Sequence, residues 1–251
     1  MIKLKSVREI AFMREAGKIV AATLDEMAQA VKPGITTAML DKIAEKTIRR
    51  YGAEPAFLGY HNFPASICAS VNDEVVHGIP GLRRLKEGDI ISIDVGTRLK
   101  GYFGDAAATF AVGTVSPQAQ KLIDVTRVSL MKAIEAMQDG GRLSDLSHAV
   151  QTYVEDNHFS VVRNYVGHGI GEAMHEEPQV PNFGLPGRGP ILQAGMVFAI
   201  EPMVNMGSWE VKVLADQWTV VTADGSLSAH FEHTVALGDH GPEILTSSDL
   251  L

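Results

Sequence analysis

A repeat limits how this chain can fold. Ile90-Ile91-Ser92-Ile93-Asp94-Val95 and Met196-Val197-Phe198-Ala199-Ile200-Glu201 are short apolar runs, each led by a glycine and each carrying one carboxylate. One offset relates them: 195 − 88 for the glycines and 201 − 94 for the acids both give 107. Gly34 and Gly141, each just ahead of a helical segment, share it (141 − 34 = 107). Three pairs in register point to duplication of a helix-helix-strand unit. The two α/β halves, about 6–113 and 117–238 of a single 1–251 domain, then pack face to face about a pseudo-twofold axis. His77-Gly78-Ile79 and His168-Gly169-Ile170 echo one another at a different offset (168 − 77 = 91).

Local signals fill in each half. Ser6 and Glu9 form a capping box, and Ile10, Met13, Ile19, Val20, Leu24, Met27 and Val31 follow helical spacing up to Pro33-Gly34. A second helix starts near Thr36 or Thr37, carries Leu40, Ile43 and Ile48, and stops at Tyr51-Gly52. Ser116-Pro117 opens a third with a capping residue and a proline at the first helical position, and a fourth starts near Ser144.

The acids are the chemically informative residues. A carboxylate inside an apolar strand loses hydration, so it must be neutralised, hydrogen-bonded or bound to a cation. Asp94 and Glu201 sit in that position, Asp105 follows the turn at 101–104, and Glu232 lies in the run 231–237. If the halves pair, these four converge, and their repulsion calls for metal ions. With one neutral imidazole, His168, they make a mixed nitrogen and oxygen set suited to first-row divalent metals. His61, His77, His168 and His175 lie in or beside glycine- and proline-punctuated segments, where loops present functional groups, whereas His148, His158 and His240 read as surface residues.

Composition excludes other classes. A net charge of −8 without any Lys or Arg run gives no field for nucleic-acid phosphates, so a nucleic-acid substrate is not expected. No run approaches the 18 or more apolar residues of a membrane span, and 1–6 lead into amphipathic sequence without a signal-peptide core. Cys68 is the single cysteine, so no intrachain disulfide forms. A cytoplasmic protein is expected, without membrane partners.

Asp94, then Asp105, then Gly167-His168-Gly169-Ile170-Gly171, then Ile200-Glu201-Pro202-Met203, then Phe231-Glu232-His233-Thr234 resembles the signature of the methionine aminopeptidases. The resemblance runs from about 6 to 246 and includes residues 72–80. It implies the pita-bread fold, a duplicated α/β (α+β) structure around a central, mainly antiparallel sheet. Only 30 residues separate Glu201 from Glu232 (231 − 202 + 1), too few for the helical insertion of type II enzymes, and no cysteine-rich extension precedes Ser6. The short bacterial type I form is therefore implied.

So are the residue roles. Asp94 would chelate one divalent metal, Asp105 and Glu232 would bridge two, and His168 and Glu201 would complete the second. The metals would be Co, Mn, Fe, Zn or Ni. Glu201 would shuttle the proton, His175 would hold the oxyanion, and His77 would hold the scissile nitrogen. Tyr60, His61, Phe63, Cys68 and Trp218 would line the methionine pocket. The implied partners are peptide and nascent-chain N-termini beginning with Met, with a small second residue, met by a monomer in transient contact with the ribosome. The nearest rival is a pita-bread peptidase cleaving before proline, which usually carries a further N-terminal domain; a metal-free binding protein of the same fold ranks below it, because all five ligand positions are filled. Two positions depart from the commonest form: His230 stands where Gln is frequent, on the face of Glu232 by strand alternation, and Ala106-Ala107-Ala108 lack the usual hydroxyls beside Asp105.

Overall fold

The computed structural model describes residues 2–248. Helix α1 (Val7–Ala30) begins at the capping box read from sequence: the Glu9 N–H donates to Ser6 Oγ at 3.3 Å and the Ser6 N–H to Glu9 Oε2 at 2.7 Å. Thr36 caps α2 (Thr37–Arg50), and Ser116 caps α3 (Pro117–Ala136) with Pro117 at its first position. Helix α4 (Leu143–Asp156) starts one residue before Ser144, because the Asp145 carboxylate reaches back to the Arg142 N–H at 2.8 Å.

The helices cover one face of a nine-stranded sheet whose pairs are all antiparallel. Its seam is the pairing of Tyr102–Ala111 with Glu232–Gly238. Outward from the seam, Ile90–Leu99 and Ile67–Val71 follow on one side, and Val197–Ile200 and Gly167–Gly169 on the other. This mirrored order is the duplication expected from the 107-residue offset. Glu176–Val180 lies outside Gly167–Gly169. Ile91, Ile93 and Val95 join Leu24, Leu40, Leu122 and Phe198 in the main core. Each such side chain contributes about 1.5–3 kcal/mol by leaving water. Asp94, alternating with them, must face the other way.

The repeat extends to backbone hydrogen bonds, with one correction. Gly88 N–H donates to Val112 O and Gly195 N–H to Leu237 O, at 2.9 and 2.8 Å, as the offset requires. Gly34, however, corresponds to Gly140 rather than Gly141: Gly34 N–H binds Leu85 O at 2.7 Å, and Gly140 N–H binds Leu192 O at 2.9 Å. Both glycines are left-handed, with φ of 91° and 79°, a conformation that a Cβ makes costly. The second half is one residue longer between these points (192 − 140 = 52 against 85 − 34 = 51), so the offset slips from 107 to 106. The two His-Gly-Ile echoes also differ in place. His168 lies in a sheet strand, whereas His77 lies beyond Glu74–Val76 at φ 59°.

Helix α1 fixes the strand end that carries Asp105. A Cβ on Gly104 would stand 2.9 Å from the Gly17 nitrogen, so helix and strand approach backbone to backbone because residue 104 is glycine, while a Cβ on Gly17 would strike Leu245 O on another neighbour. Thr97 Oγ1 donates to Ala16 O at 3.0 Å beside this contact.

Candidate active site

Strand register brings the four acids and His168 together. Cys68 pairs with Asp94, Asp94 with Ala107, and Ala107 with Glu232. Directly opposed residues of an antiparallel sheet project from one face, so this row shares a face. Asp105 lies two residues from Ala107 and joins it. On the far side His233 pairs with Ile200, which aligns Glu232 with Glu201 just past the strand end, and His168 pairs with Ala199, two residues before Glu201. All five donors therefore meet on one face. Ala107, a single methyl between Asp94 and Glu232, leaves the space that they surround.

The cluster is dry and short of partners. Asp105, His168 and Glu232 are 3, 7 and 2% exposed, and each offers a ligand atom within 4.8 Å of the others. His168 Nε2 lies 3.8 Å from Asp105 Oδ2 and 3.7 Å from Glu201 Oε1. His168 Nδ1 lies 2.9 Å from Gly169 O, and a carbonyl only accepts, so Nδ1 carries the proton and Nε2 turns its lone pair to the acids. Asp94 Oδ1, Asp105 Oδ1, Glu232 Oε1 and His230 Nε2 are buried without a hydrogen-bond partner. Unmet buried oxygens cost free energy, and divalent cations would satisfy them, so this donor set fits a metal centre.

Burial dominates the titration of every member. It raises Asp94 from 3.8 to about 7. Burial and then neighbouring acids push Asp105, Glu201 and Glu232 well above the carboxylate range. Burial, then His175, lowers His168 to about 3 and His77 to about 4. The site thus favours neutral carboxyls and neutral imidazoles until a cation replaces the protons.

The cluster floors a cavity of ≈ 390 Å³ lined also by Phe57, Tyr60, His61, Phe63, Cys68, His77, His175 and Trp218. Every site residue named from sequence lines it. Phe57 was missed, although it belongs to the same glycine-punctuated segment as Tyr60 and His61. Phe57, Phe63, Cys68 and Met174 form a separate apolar cluster against Tyr60 and Trp218, which makes one end of the cavity apolar. Trp218 meets Phe63 edge-on at 5.1 Å and His77 at 6.1 Å. Tyr60 OH lies 2.7 Å from His175 Nδ1 and stacks on that ring at 5.4 Å. Gly78 lets His77 approach the Ile67–Val71 strand, since a Cβ there would strike Ala69 O.

Supports of the cluster that sequence did not reveal act through backbone atoms, which leave no residue-type pattern. Thr234 Oγ1 accepts from Asp105 N–H at 3.0 Å and donates to Asp105 O at 2.7 Å, and Asn182 Nδ2 donates to Glu201 O at 2.9 Å. His230 does reach the site: its Nε2 is 3.8 Å from Glu201 Oε2 and 3.9 Å from Glu232 Oε2. Its backbone is held by Thr109 Oγ1, which accepts from His230 N–H and donates to His230 O. Of the three alanines, Ala106 and Ala108 belong to the core and only Ala107 faces the site, so hydroxyls at 106 and 108 would not have met Asp105. His148, read as a surface residue, is half-buried on α4, whereas His158 and His240 are exposed.

Residues 11–239 match metallopeptidase family M24. The chain is 59% identical over 246 residues to the methionine aminopeptidase of Clostridium perfringens, covering 98% of this chain and 99% of that one. It is 58% identical over 246 residues to methionine aminopeptidase 1 of Bacillus subtilis, with the same coverage. The chain belongs to the methionine aminopeptidases of family M24. The structure superposes on the crystal structure of methionine aminopeptidase from Rickettsia prowazekii with a TM-score of 0.97 at 44% identity, covering 98% of this chain and all (100%) of the other. The curled antiparallel sheet with its four helices is thus the pita-bread fold of this family. Among the described residues no helix is long and apolar enough to cross a membrane.

Proposed function

We propose that the chain removes the N-terminal methionine from peptides and nascent proteins that carry a small second residue, using two divalent cations held by Asp94, Asp105, His168, Glu201 and Glu232. The observation that carries this reading is the convergence of four acids, Asp105 and Glu232 buried and Asp94 and Glu201 half-buried, with one neutral imidazole and unmet oxygens at the floor of a half-apolar cavity. In the register Asp105 and Glu232 stand between Asp94 on one side and Glu201 and His168 on the other, which suits them to serve both cations. Once bound, the cations supply Lewis-acid polarisation and an activated water near neutral pH. Which of Co, Mn, Fe, Zn or Ni serves is set by supply, since this ligand set accepts them all.

The remaining chemistry belongs to side chains. Phe57, Tyr60, His61, Phe63, Cys68 and Trp218 take the methionine side chain, whose polarizable sulfur packs well against rings. The substrate's free α-amino group would bind at the metal centre, which would confine the reaction to chain ends. His175, its Nδ1 2.7 Å from the Tyr60 hydroxyl, donates from Nε2 to the oxyanion. His77, held neutral, bonds the scissile peptide nitrogen. Glu201, at the edge of the acid row, carries the proton from nucleophile to leaving amine. The working protein is read as a cytoplasmic monomer that meets nascent chains in transient contact with the ribosome.

Hydrolysis of Met-Ala-Ser, Met-Leu-Ser and Ala-Pro-Ser by metal-loaded protein tests the substrate. Cleavage of the first, little of the second and none of the third is expected. Preference for Ala-Pro-Ser would overturn the reading.

A further inference from the structure

The loop that presents His175 is held by an ion pair that the chemistry above does not use. Lys5 and Glu176 have side chains only 4 and 9% exposed, with Nζ to Oε2 at 2.7 Å. Lys5 lies in the segment ahead of α1, and Glu176 follows His175 directly. Glu176 Oε1 accepts from the N–H groups of Glu172 and Ala173 at 3.0 and 3.2 Å, so one carboxylate closes the 172–176 turn on itself and on Lys5. Lys5 is anchored in turn, its N–H donating to Gly195 O at 2.7 Å and its Nζ to Lys3 O at 3.2 Å. A Cβ on Gly171 would strike Lys5 Cε and come within 2.8 Å of Glu176 Oε1, so the pair is seated against the loop backbone. Phe103 N–H, from the strand that carries Asp105, donates to Gly171 O at 2.9 Å and ties the same loop to the sheet.

We infer that Lys5 and Glu176 are positioning residues, which fix the imidazole of His175 over the metal ligands. The inference rests on the role proposed for His175. A buried ion pair is a poor source of net stability, because desolvation offsets most of its attraction. It does impose geometry, and here that geometry bears on one ring, stacked on Tyr60 and 4.2 Å from the His168 ring. Displacing a substrate-contacting group by about 1 Å can cost about 100-fold in rate.

Kinetics of the metal-loaded chain test this with Lys5→Met, Glu176→Gln, their combination, and Lys5→Met in a His175→Ala background, each with Tm and metal content. Each single change should lower kcat by about 10- to 100-fold with KM and bound metal little altered. The combination leaves no unpaired buried charge, so it should recover Tm but not kcat; it also carries the comparison should Lys5→Met fail to fold. In the His175→Ala background the Lys5 change should lower kcat no further. An equal fold-loss from Lys5→Met in both backgrounds, or recovery of kcat together with Tm in the combination, would show a merely structural pair and overturn the inference. A His175→Ala that loses kcat beside a Lys5→Met that does not defeats this inference alone, whereas a silent His175→Ala defeats the proposed role of His175 and the inference with it.

Discussion

Reloading metal into the stripped chain should release protons, and the structure sets how many. Burial takes Asp94 from 3.8 to about 7, so without a cation the pocket disfavours its ionised form below neutral pH. Asp105, Glu201 and Glu232 are also raised well above the carboxylate range, and the four titrate as a set. At pH 6 the set is therefore held partly protonated in the stripped protein, so loading should expel at least about one proton. His168, held to about 3, is already neutral and contributes none. Apparent affinity should then rise about tenfold per pH unit for each proton expelled between pH 5 and 7. Isothermal titration of Mn²⁺ into chelator-stripped protein, in buffers of differing ionisation enthalpy, counts the protons. Release near zero at pH 6, with affinity flat from pH 5 to 7, would refute the argument.

The melting temperature of the stripped chain is a poorer reporter, because two sets of shifts oppose. The raised carboxyls give the fold stability that is full below their unfolded values and is lost as pH rises through about 7. His77, His168, His230 and His233 are lowered to about 4, 3, 3 and 4, so their contribution is full above 6.5 and is lost as pH falls.

Other outcomes follow from single side chains. His175→Ala should lose roughly 10²- to 10³-fold in kcat, about 2.7 to 4 kcal/mol, with metal content intact, whereas His168→Ala should lose metal by elemental analysis. Thr234→Val strips both hydrogen bonds from the Asp105 backbone and should cost about 1–3 kcal/mol by urea unfolding of the stripped chain. Cys68 should alkylate slowly, because burial and then the nearby acids hold the thiol protonated; complete modification should lower activity, and bound methionine should protect it. Unchanged kinetics after complete alkylation would remove Cys68 from the pocket.

Much of this site was legible because its chemistry is written in residue types that are out of place. An acid inside an apolar strand is such a signal, and Asp94 and Glu201 marked both the duplicated strands and their shared face. The glycines were less reliable. Gly34 matched Gly141 by count, yet the left-handed turn falls on Gly140, because one residue inserted before residue 192 leaves no trace in composition. The echo of His77 and His168 likewise joined a loop to a strand. Phe57 carries no motif and stands out only in the structure, where it is both core and cavity wall. Lys5 and Glu176 carried no signal at all: a lysine ahead of a helix and a glutamate beside a histidine read as solvated charges, and only tertiary packing buries them together. Thr234 and Asn182 act on backbone atoms of the acids, a relation that no side-chain pattern encodes.

The central claim is that peptide hydrolysis depends on cations held by the five donors, and it is tested most directly by metal content measured beside turnover. Protein stripped with chelator and checked by elemental analysis should not cleave Met-Ala-Ser, and activity should return with added divalent metal in proportion to occupancy, reaching its maximum by two ions per chain. Undiminished turnover in verified metal-free protein would contradict the account.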